Sequence, residues 1–316
     1  MYDNLILKLK NIDVPNIDFL SETSQYFDVS GEYNFYGKIV LAGDLSNEFK
    51  VTVKNDCIKL DGSLCKYYLG DNFQTLGRGD TKRAFEKISD TLRLPIDKAT
   101  VYRLDIAQNF ILKHPLENYF NHFGKLKYGG RSPITRDGEI EGMYYYQSKG
   151  LLVFYDKVKE QTVKRRHIPE LYQNRNVLRY EQRYTKRLPK ALNIENVTAA
   201  TLYDEKFYID VINRWRDNYF AIQKINDITL NPGGMKTKTD LYNMGILALA
   251  EMFGGELNLI SQIRENQNAG IITGKQAFDL KQAVTSACKE KTGITAKNDC
   301  IMELDKKVVE AVKFYR

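Results

Sequence analysis

Leu151-Leu152-Val153-Phe154-Tyr155-Asp156-Lys157-Val158-Lys159-Glu160 runs from an apolar, β-prone stretch straight into charge. Its first part predicts a strand over Leu151–Lys157. The run before it, Glu141–Gln147 with Met143-Tyr144-Tyr145-Tyr146, predicts the hairpin partner across the turn Ser148-Lys149-Gly150. The hairpin delivers Tyr155 to a boundary between core and charge. A tyrosine there can be packing or nucleophile, and among 21 tyrosines packing is the default.

Working outward, more strands of the same kind appear. Asn176–Thr185 alternates, with Arg179, Glu181 and Arg183 on one face and Leu178, Tyr180 and Tyr184 on the other. Thr100–Phe110 does the same, placing Arg103 and Asp105 opposite Tyr102, Leu104 and Ile106. Residues 1–10 put Leu5, Leu7 and Leu9 on one face, and Ser30–Gly43 and Phe49–Leu60 add strands, the latter turning at Asn55-Asp56. Neighbouring strands with the charged face in common would assemble Arg103, Asp105, Tyr155, Lys157, Arg179, Glu181 and Arg183. Helices are predicted over Lys82–Leu92, Leu116–Phe123 and Leu202–Ile225, and Lys125–Gly138, rich in Gly and basic residues without a period, reads as a mobile loop. Gly77-Arg78-Gly79-Asp80-Thr81 is a linker and helix cap rather than a phosphate loop, because no G-K-[ST] follows.

Asn231-Pro232-Gly233-Gly234 is the strongest breaker, and beyond it Thr239–Phe253, Glu256–Asn266, Gly274–Glu290 and Lys297–Tyr315 are all helical in pattern. The expected fold is α+β: an antiparallel β-sheet domain with flanking helices over 1–228, then a smaller helical domain over 238–316.

The formal charge is +7. From Lys149 to Arg187 eleven Lys or Arg face four carboxylates, so this eighth of the chain carries the whole excess. Such a block points to a polyanion, either nucleic acid or an acidic membrane surface. No run of about 18 apolar residues exists to span a bilayer, and Met1-Tyr2-Asp3-Asn4 lacks signal-peptide features, so a cytoplasmic location is the expectation. Cys57, Cys65, Cys288 and Cys300 form no C-x-x-C pair and read as free thiols. His114, His122 and His167 lack the adjacent or i, i+4 spacing of a metal site, which argues against a histidine-built zinc or HUH-type centre.

Two isolated strand carboxylates, Asp105 and Glu181, suit a divalent cation completed by water and phosphate, with Glu141 and Glu160 as further candidates. Cross-strand Arg–carboxylate pairing, which sheets use routinely, explains the same spacing, and the pattern leaves both readings open. Tyr155 could act as a nucleophile only if a cation stabilises its phenolate, whose reference pKa is about 10, and Lys157 stands two residues away. Lys164, Arg165 and Arg166, with Lys186 and Arg187, could make phosphate contacts or form a solvated loop.

Several of these segments together resemble one family. Met1–Leu9 resembles the first strand of phage and plasmid rolling-circle replication initiators of the gene II / gene X type. Arg103-Leu104-Asp105-Ile106-Ala107 is similar to their Arg-x-Asp strand, Leu152–Glu160 to their Tyr-x-Lys-x-x-Glu segment, and Leu178–Arg183 followed by Lys186-Arg187-Leu188 to their Arg-aromatic-Glu-x-Arg strand. The likeness covers about residues 1–225. It implies a sheet-based origin-nicking domain: one strand of a supercoiled origin is cut by a tyrosine, leaving a 5′-phosphotyrosyl intermediate and a free 3′-OH primer, and the displaced strand is later rejoined. Carried over, Tyr155 is the nucleophile and Lys157 the adjacent cation. Asp105, Glu181 and Glu141 are the expected ligands of Mg²⁺ (or Mn²⁺). Arg103, Lys164, Arg165, Arg166, Arg179, Arg183, Lys186 and Arg187 are the expected DNA contacts. The implied partners are double- and single-stranded origin DNA, with host helicase, polymerase and a second copy of the chain as further partners to look for, and no membrane. A mobilisation relaxase, a metal nuclease without a covalent step and a non-catalytic DNA-binding protein are the competing readings.

Overall fold

The computed structural model describes residues 1–36, 38–136, 138–228, 236–289, 295–296 and 298–315. The strands are β1 (Tyr2–Lys10), β2 (Asp28–Phe35), β3 (Lys38–Leu45), β4 (Phe49–Lys54), β5 (Cys57–Ser63), β6 (Thr100–Leu112), β7 (Phe123–Leu126), β8 (Gly130–Arg136), β9 (Glu139–Gln147), β10 (Gly150–Asp156), β11 (Asn176–Tyr184), β12 (Ile222–Lys224), β13 (Asp227–Ile228) and β14 (Thr295–Ala296). The helices are α1 (Phe19–Thr23), α2 (Leu64–Leu69), α3 (Arg78–Leu92), α4 (Leu116–Asn121), α5 (Lys157–Val163), α6 (Leu188–Leu192), α7 (Glu205–Phe220), α8 (Lys238–Met252), α9 (Glu256–Asn268), α10 (Gly274–Lys289) and α11 (Asp299–Tyr315). Ten strands form one antiparallel sheet in the order β2-β3-β4-β5-β1-β6-β11-β10-β9-β8, which is the α+β architecture expected.

Three adjacent strands of that sheet, β6-β11-β10, have two unlike faces. On one, Phe154 stacks on Tyr180 with ring centroids 4.4 Å apart, and Tyr180 lies 4.7 Å from Trp215 of α7. Tyr180 also donates a hydrogen bond to the Trp215 carbonyl at 3.0 Å, so the aromatic face is tied to α7 by packing and by a polar contact. On the other face β11 pairs Arg183 with Asp105 of β6, and β10 pairs Tyr155 with Arg179. Alternation along each strand therefore holds Arg103, Asp105, Tyr155, Arg179, Glu181 and Arg183 on one surface, as the shared-face expectation requires.

Four departures have local causes. Lys157 does not continue β10: Asp156 caps α5, its carboxylate accepting the Lys159 N–H at 2.9 Å, and Lys157 is the first helical residue. Lys125–Gly138 is not a mobile loop across its described residues, since β7 pairs with β12 in a separate two-stranded sheet and β8 pairs with β9 at the edge of the ten-stranded one. An edge strand needs ladder hydrogen bonds on one side only, so side-chain period is weak there. Helix α3 starts at Arg78, earlier than Lys82, because the Asp80 carboxylate accepts the Gly77 N–H at 3.0 Å. The segment expected as one helix to Ile225 is a 3₁₀ turn at Ala200–Tyr203, then α7, then β12.

The breaker Asn231-Pro232-Gly233-Gly234 lies outside the described residues. Beyond it, α8, α9 and α10 bury a small core of their own around Ala250, Leu259, Ile263, Ala277 and Val284. Helix α11 behaves differently: Ile301, Leu304, Val308 and Val312 belong to the core of the main sheet. No single helix among the described residues is long and apolar enough to cross a membrane.

Candidate active site

Tyr155 sits near the end of β10, where the apolar run meets α5. Gly142 on β9 makes room for it. A Cβ there would lie 2.4 Å from the Phe154 carbonyl oxygen and 3.2 Å from Tyr155 Cβ, so the strand can approach only without a side chain. The Tyr155 hydroxyl donates to Glu181 Oε1 at 2.7 Å. Glu181 is almost fully enclosed and accepts on both oxygens, from Arg179 Nε at 2.6 Å and from Arg183 Nε and Nη2 at 2.7 and 2.5 Å. Burial alone would raise its pKa, but Arg179 and Arg183 outweigh this and hold the carboxyl down to about 2. The phenol moves the other way. Burial, then the Glu181 charge, push it well above its ordinary value, so the resting tyrosine is neutral.

Arg179 is the centre of the network. It is 1% exposed and also donates to the Asp3 carboxylate, to the Asn72 carbonyl at 3.0 Å and to Asn109 Oδ1 at 3.1 Å. Asp3 in turn accepts from Ser63 Oγ at 2.5 Å and Asn72 Nδ2 at 3.1 Å. Asn109 Nδ2 donates to the carbonyls of Asn72 and Phe73, so the chain after α2 is laced across the charged face. Sequence reasoning misses Asp3, Ser63, Asn72 and Asn109. A β-bulge between Tyr2 and Leu5 breaks the alternation that would place Asp3, and the other three are neutral residues whose role depends on the tertiary fold.

On the other side of Tyr155, Lys157 is 1% exposed and donates to Glu160 Oε2 at 2.9 Å, while Lys164 and Gln161 also bind Glu160. Burial, then the Arg179 charge, bring the Lys157 ammonium down to about 8 although Glu160 pulls it up. Opposing its own burial, Lys157 and Lys164 keep Glu160 ionised to about 2. A polar cavity of about 140 Å³ opens between these groups, lined by Tyr155, Lys157, Glu160 and Glu181 together with Lys66, Lys164, Arg166 and Arg183. Five cations, one phenol hydroxyl and three carboxylates, counting Asp3, surround it, which suits a bound phosphodiester.

The three carboxylates expected to hold Mg²⁺ are not gathered into a ligand set. Asp105 is gripped by the Arg103 fork at 3.0 and 2.6 Å, with burial raising its pKa to about 6 against that pull. Glu181 is engaged by Tyr155 and two arginines, and Glu141 lies 2.6 Å from Lys159 Nζ. Among the described residues no group of three or more His, Cys, Asp or Glu is placed to hold a metal ion. As arranged, the carboxylates do not fit a resident cation, and the Arg–carboxylate pairing left open by the spacing is what the sheet contains. Of the residues expected to touch DNA, Arg179 is enclosed and Arg103 is tied to Asp105, whereas Lys164, Arg166 and Arg183 line the cavity and Arg165 is exposed. Lys186 and Arg187 lie farther off, in a recess with Lys149 and Lys190, and no carboxylate pairs with these four among the described residues.

The chain is thus an α+β protein whose antiparallel sheet carries, on one face, a tyrosine, a buried acid–arginine network and a cation-lined cavity. The comparison with known families makes this specific. The family described as the N-terminal part of the replication-associated protein of gene II type, from filamentous phages, matches residues 1–203, and the chain belongs to that family as a phage-type replication initiator. None of the curated proteins compared with the chain matches it.

Proposed function

We propose that the protein cuts one strand of DNA at a replication origin by in-line attack of Tyr155 Oη on a phosphorus seated in the cation-lined cavity. The observation that carries this reading is that Tyr155 lines this cavity with Lys157, Lys164, Arg166 and Arg183, its hydroxyl bonded to Glu181, another of the lining residues. The Oη–P bond forms as the P–O3′ bond breaks, giving a 5′-phosphotyrosine and a 3′-oxygen that becomes the primer. Glu181, which accepts the phenol's hydrogen bond, is the group placed to take its proton. At rest its two arginines make it a weak base. Arg183 is 27% exposed and faces the cavity, so an entering phosphate competes for it and raises the basicity of Glu181 when substrate is in place. Lys157, with its pKa near 8, is matched to protonating the leaving 3′-oxygen. The same steps reversed rejoin a displaced strand.

We further propose that Mg²⁺ or Mn²⁺ is required in the DNA-bound state, where phosphate oxygens and water would supply most of its ligands, so that chelation should stop nicking. The reading is tested by incubating the protein with a supercoiled plasmid bearing the origin. Open circles should appear with protein attached to the 5′ end, and plasmid that is bound but never relaxed with any divalent ion would leave a DNA-binding protein only.

Protonated Lys157 predicts a pH profile with a defined sign. A lysine whose folded pKa is lowered to about 8 carries its charge below that pH and loses it above, so nicking should fall as pH rises through 8. Lys157→Arg keeps a charge across this range, so its slower reaction should lack the descending limb. A wild-type rate that climbs steadily to about pH 9.5, beyond that lysine's titration, would remove Lys157 from the mechanism.

The recess formed by Lys149, Lys186, Arg187 and Lys190 extends the DNA path. It lies at the Gly150↔Tyr184 end of the strand pair, five residues from Tyr155↔Arg179, or roughly 16 Å at the usual strand rise. Arg187 holds φ at 50°, a left-handed conformation that non-glycine residues adopt at a cost. Replacing Lys186, Arg187 and Lys190 by Ala should weaken binding to every plasmid alike and lower the slope of log K against log salt by roughly one per contact. Affinity that is flat between low and physiological salt would exclude a phosphate-tracking role.

A further inference from the structure

A second recess, of about 300 Å³, opens on Tyr155 from the side of β8, β9 and α5. Its character differs from that of the phosphate cavity. Ile134, Tyr144, Val153 and Val163 give it apolar and aromatic walls, and Glu141 and Lys159 stand together in it. Tyr155, Glu160, Lys164 and Arg183 border both spaces, so a group held here lies next to whatever occupies the phosphate cavity.

The backbone puts Glu141 there by a specific device. Ile134 pairs with Gly142 and Thr135 with Ile140, which leaves Glu141 as the extra residue of a β-bulge on β9. Alternation from Met143 and Tyr145, both buried in the core, would send Glu141 toward the core as well. The bulge turns it into the recess instead, where its Oε1 lies 2.6 Å from Lys159 Nζ. The result is an acceptor beside a donor at the edge of an apolar slot with an aromatic wall, the combination that reads an unstacked nucleobase by its edge while a ring packs on its face.

We propose that this recess receives the nucleobase next to the scissile phosphate, with Tyr144 against its face and Glu141 accepting from an exocyclic amine. It deepens the Tyr155 reading, since it names what the site recognises in its DNA. Adenine, cytosine and guanine each carry such an amine and thymine does not, so the position should disfavour thymine.

The test uses the full chain and 5′-mononucleotides, with inorganic phosphate as the reference ligand, in a calorimetric or NMR titration. The expected result is that dAMP, dCMP and dGMP bind about 10-fold more tightly than dTMP, and that all four bind more tightly than phosphate. Glu141→Ala should reduce the preference over dTMP to about twofold or less while phosphate binding is kept. Tyr144→Ala should weaken all four nucleotides by about 10-fold, and it serves independently if the other variant folds poorly. Nucleotides that bind no better than phosphate, or a preference that persists in Glu141→Ala, would overturn the assignment. A wild-type protein that binds nucleotides in this order but forms no covalent adduct with DNA would uphold the recess and refute nicking by Tyr155.

Discussion

Tyr155→Phe protein should bind origin plasmid as tightly as the wild type and leave it supercoiled. The substitution removes one oxygen and keeps the ring. Its structural consequence is the loss of the 2.7 Å hydrogen bond to Glu181, a carboxylate still held by two arginines, so the stability cost should be on the order of 1 kcal/mol. The chemical consequence is far larger, because no other hydroxyl among the named lining residues of the phosphate cavity can replace the nucleophile. Nicked circles and the covalent adduct should both fall below detection. Wild-type protein digested after reaction should yield one peptide carrying a nucleotide, and its modified residue should be Tyr155. Tyr242→Phe provides the control, since Tyr242 is exposed on α8, lines neither recess and should leave nicking intact. An adduct on any other tyrosine would displace the assignment, and persistent nicking by Tyr155→Phe would mean that water, not the phenol, attacks.

The part of the site that can be read from the chain is the part governed by period two. Arg103, Asp105, Tyr155, Arg179, Glu181 and Arg183 each occupy the expected face because β6, β11 and β10 are regular and adjacent. What alternation cannot give is depth. Arg179 and Arg183 are on one face of one strand, yet the chain around Asn72 and Phe73 lies over the first and leaves the second partly open. An arginine expected to meet DNA is therefore an enclosed strut. Asp3 and Glu141 escape the pattern for a different reason: both stand where a bulge interrupts the alternation, and no side-chain pattern announces a bulge. The β-branched and aromatic residues before Lys157 argue for placing it in the strand, whereas the Asp156 cap decides that the helix starts there. The fold class is legible for a simpler reason, since long alternating segments separated by short turns leave few options besides an antiparallel sheet.

Replacing Arg179 by Met should give the largest loss of stability at the site, about 3–5 kcal/mol, a large share of the roughly 5–15 kcal/mol typical of a folded domain. Methionine can fill much of the space but cannot compensate Asp3 and Glu181, both nearly inaccessible to water. Arg179→Lys should recover only part of the loss, because one ammonium cannot reproduce contacts to two carboxylates, a carbonyl and an amide. Neutralising the acids as well, in Arg179→Met with Asp3→Asn and Glu181→Gln, should restore much of the stability and none of the nicking. That separation would show the network serves the chemistry of Tyr155, by orienting it and taking its proton, rather than holding the sheet together. The pH dependence gives a further check. In the wild type the depressed Glu181 pKa, about 2, contributes stability that is present above the unfolded value of about 4.5 and is lost as pH falls toward 2. Without Arg179, burial dominates and raises that pKa, so the variant becomes less stable as pH rises and the carboxyl is forced to ionise. The urea midpoints of wild type and Arg179→Met should thus lie closer together at about pH 3 than at about pH 7, with similar m values. A gap of equal size at the two pH values would mean that Arg179 stabilises the protein through its packing, and that Glu181 is held in its ionised form by Arg183 alone.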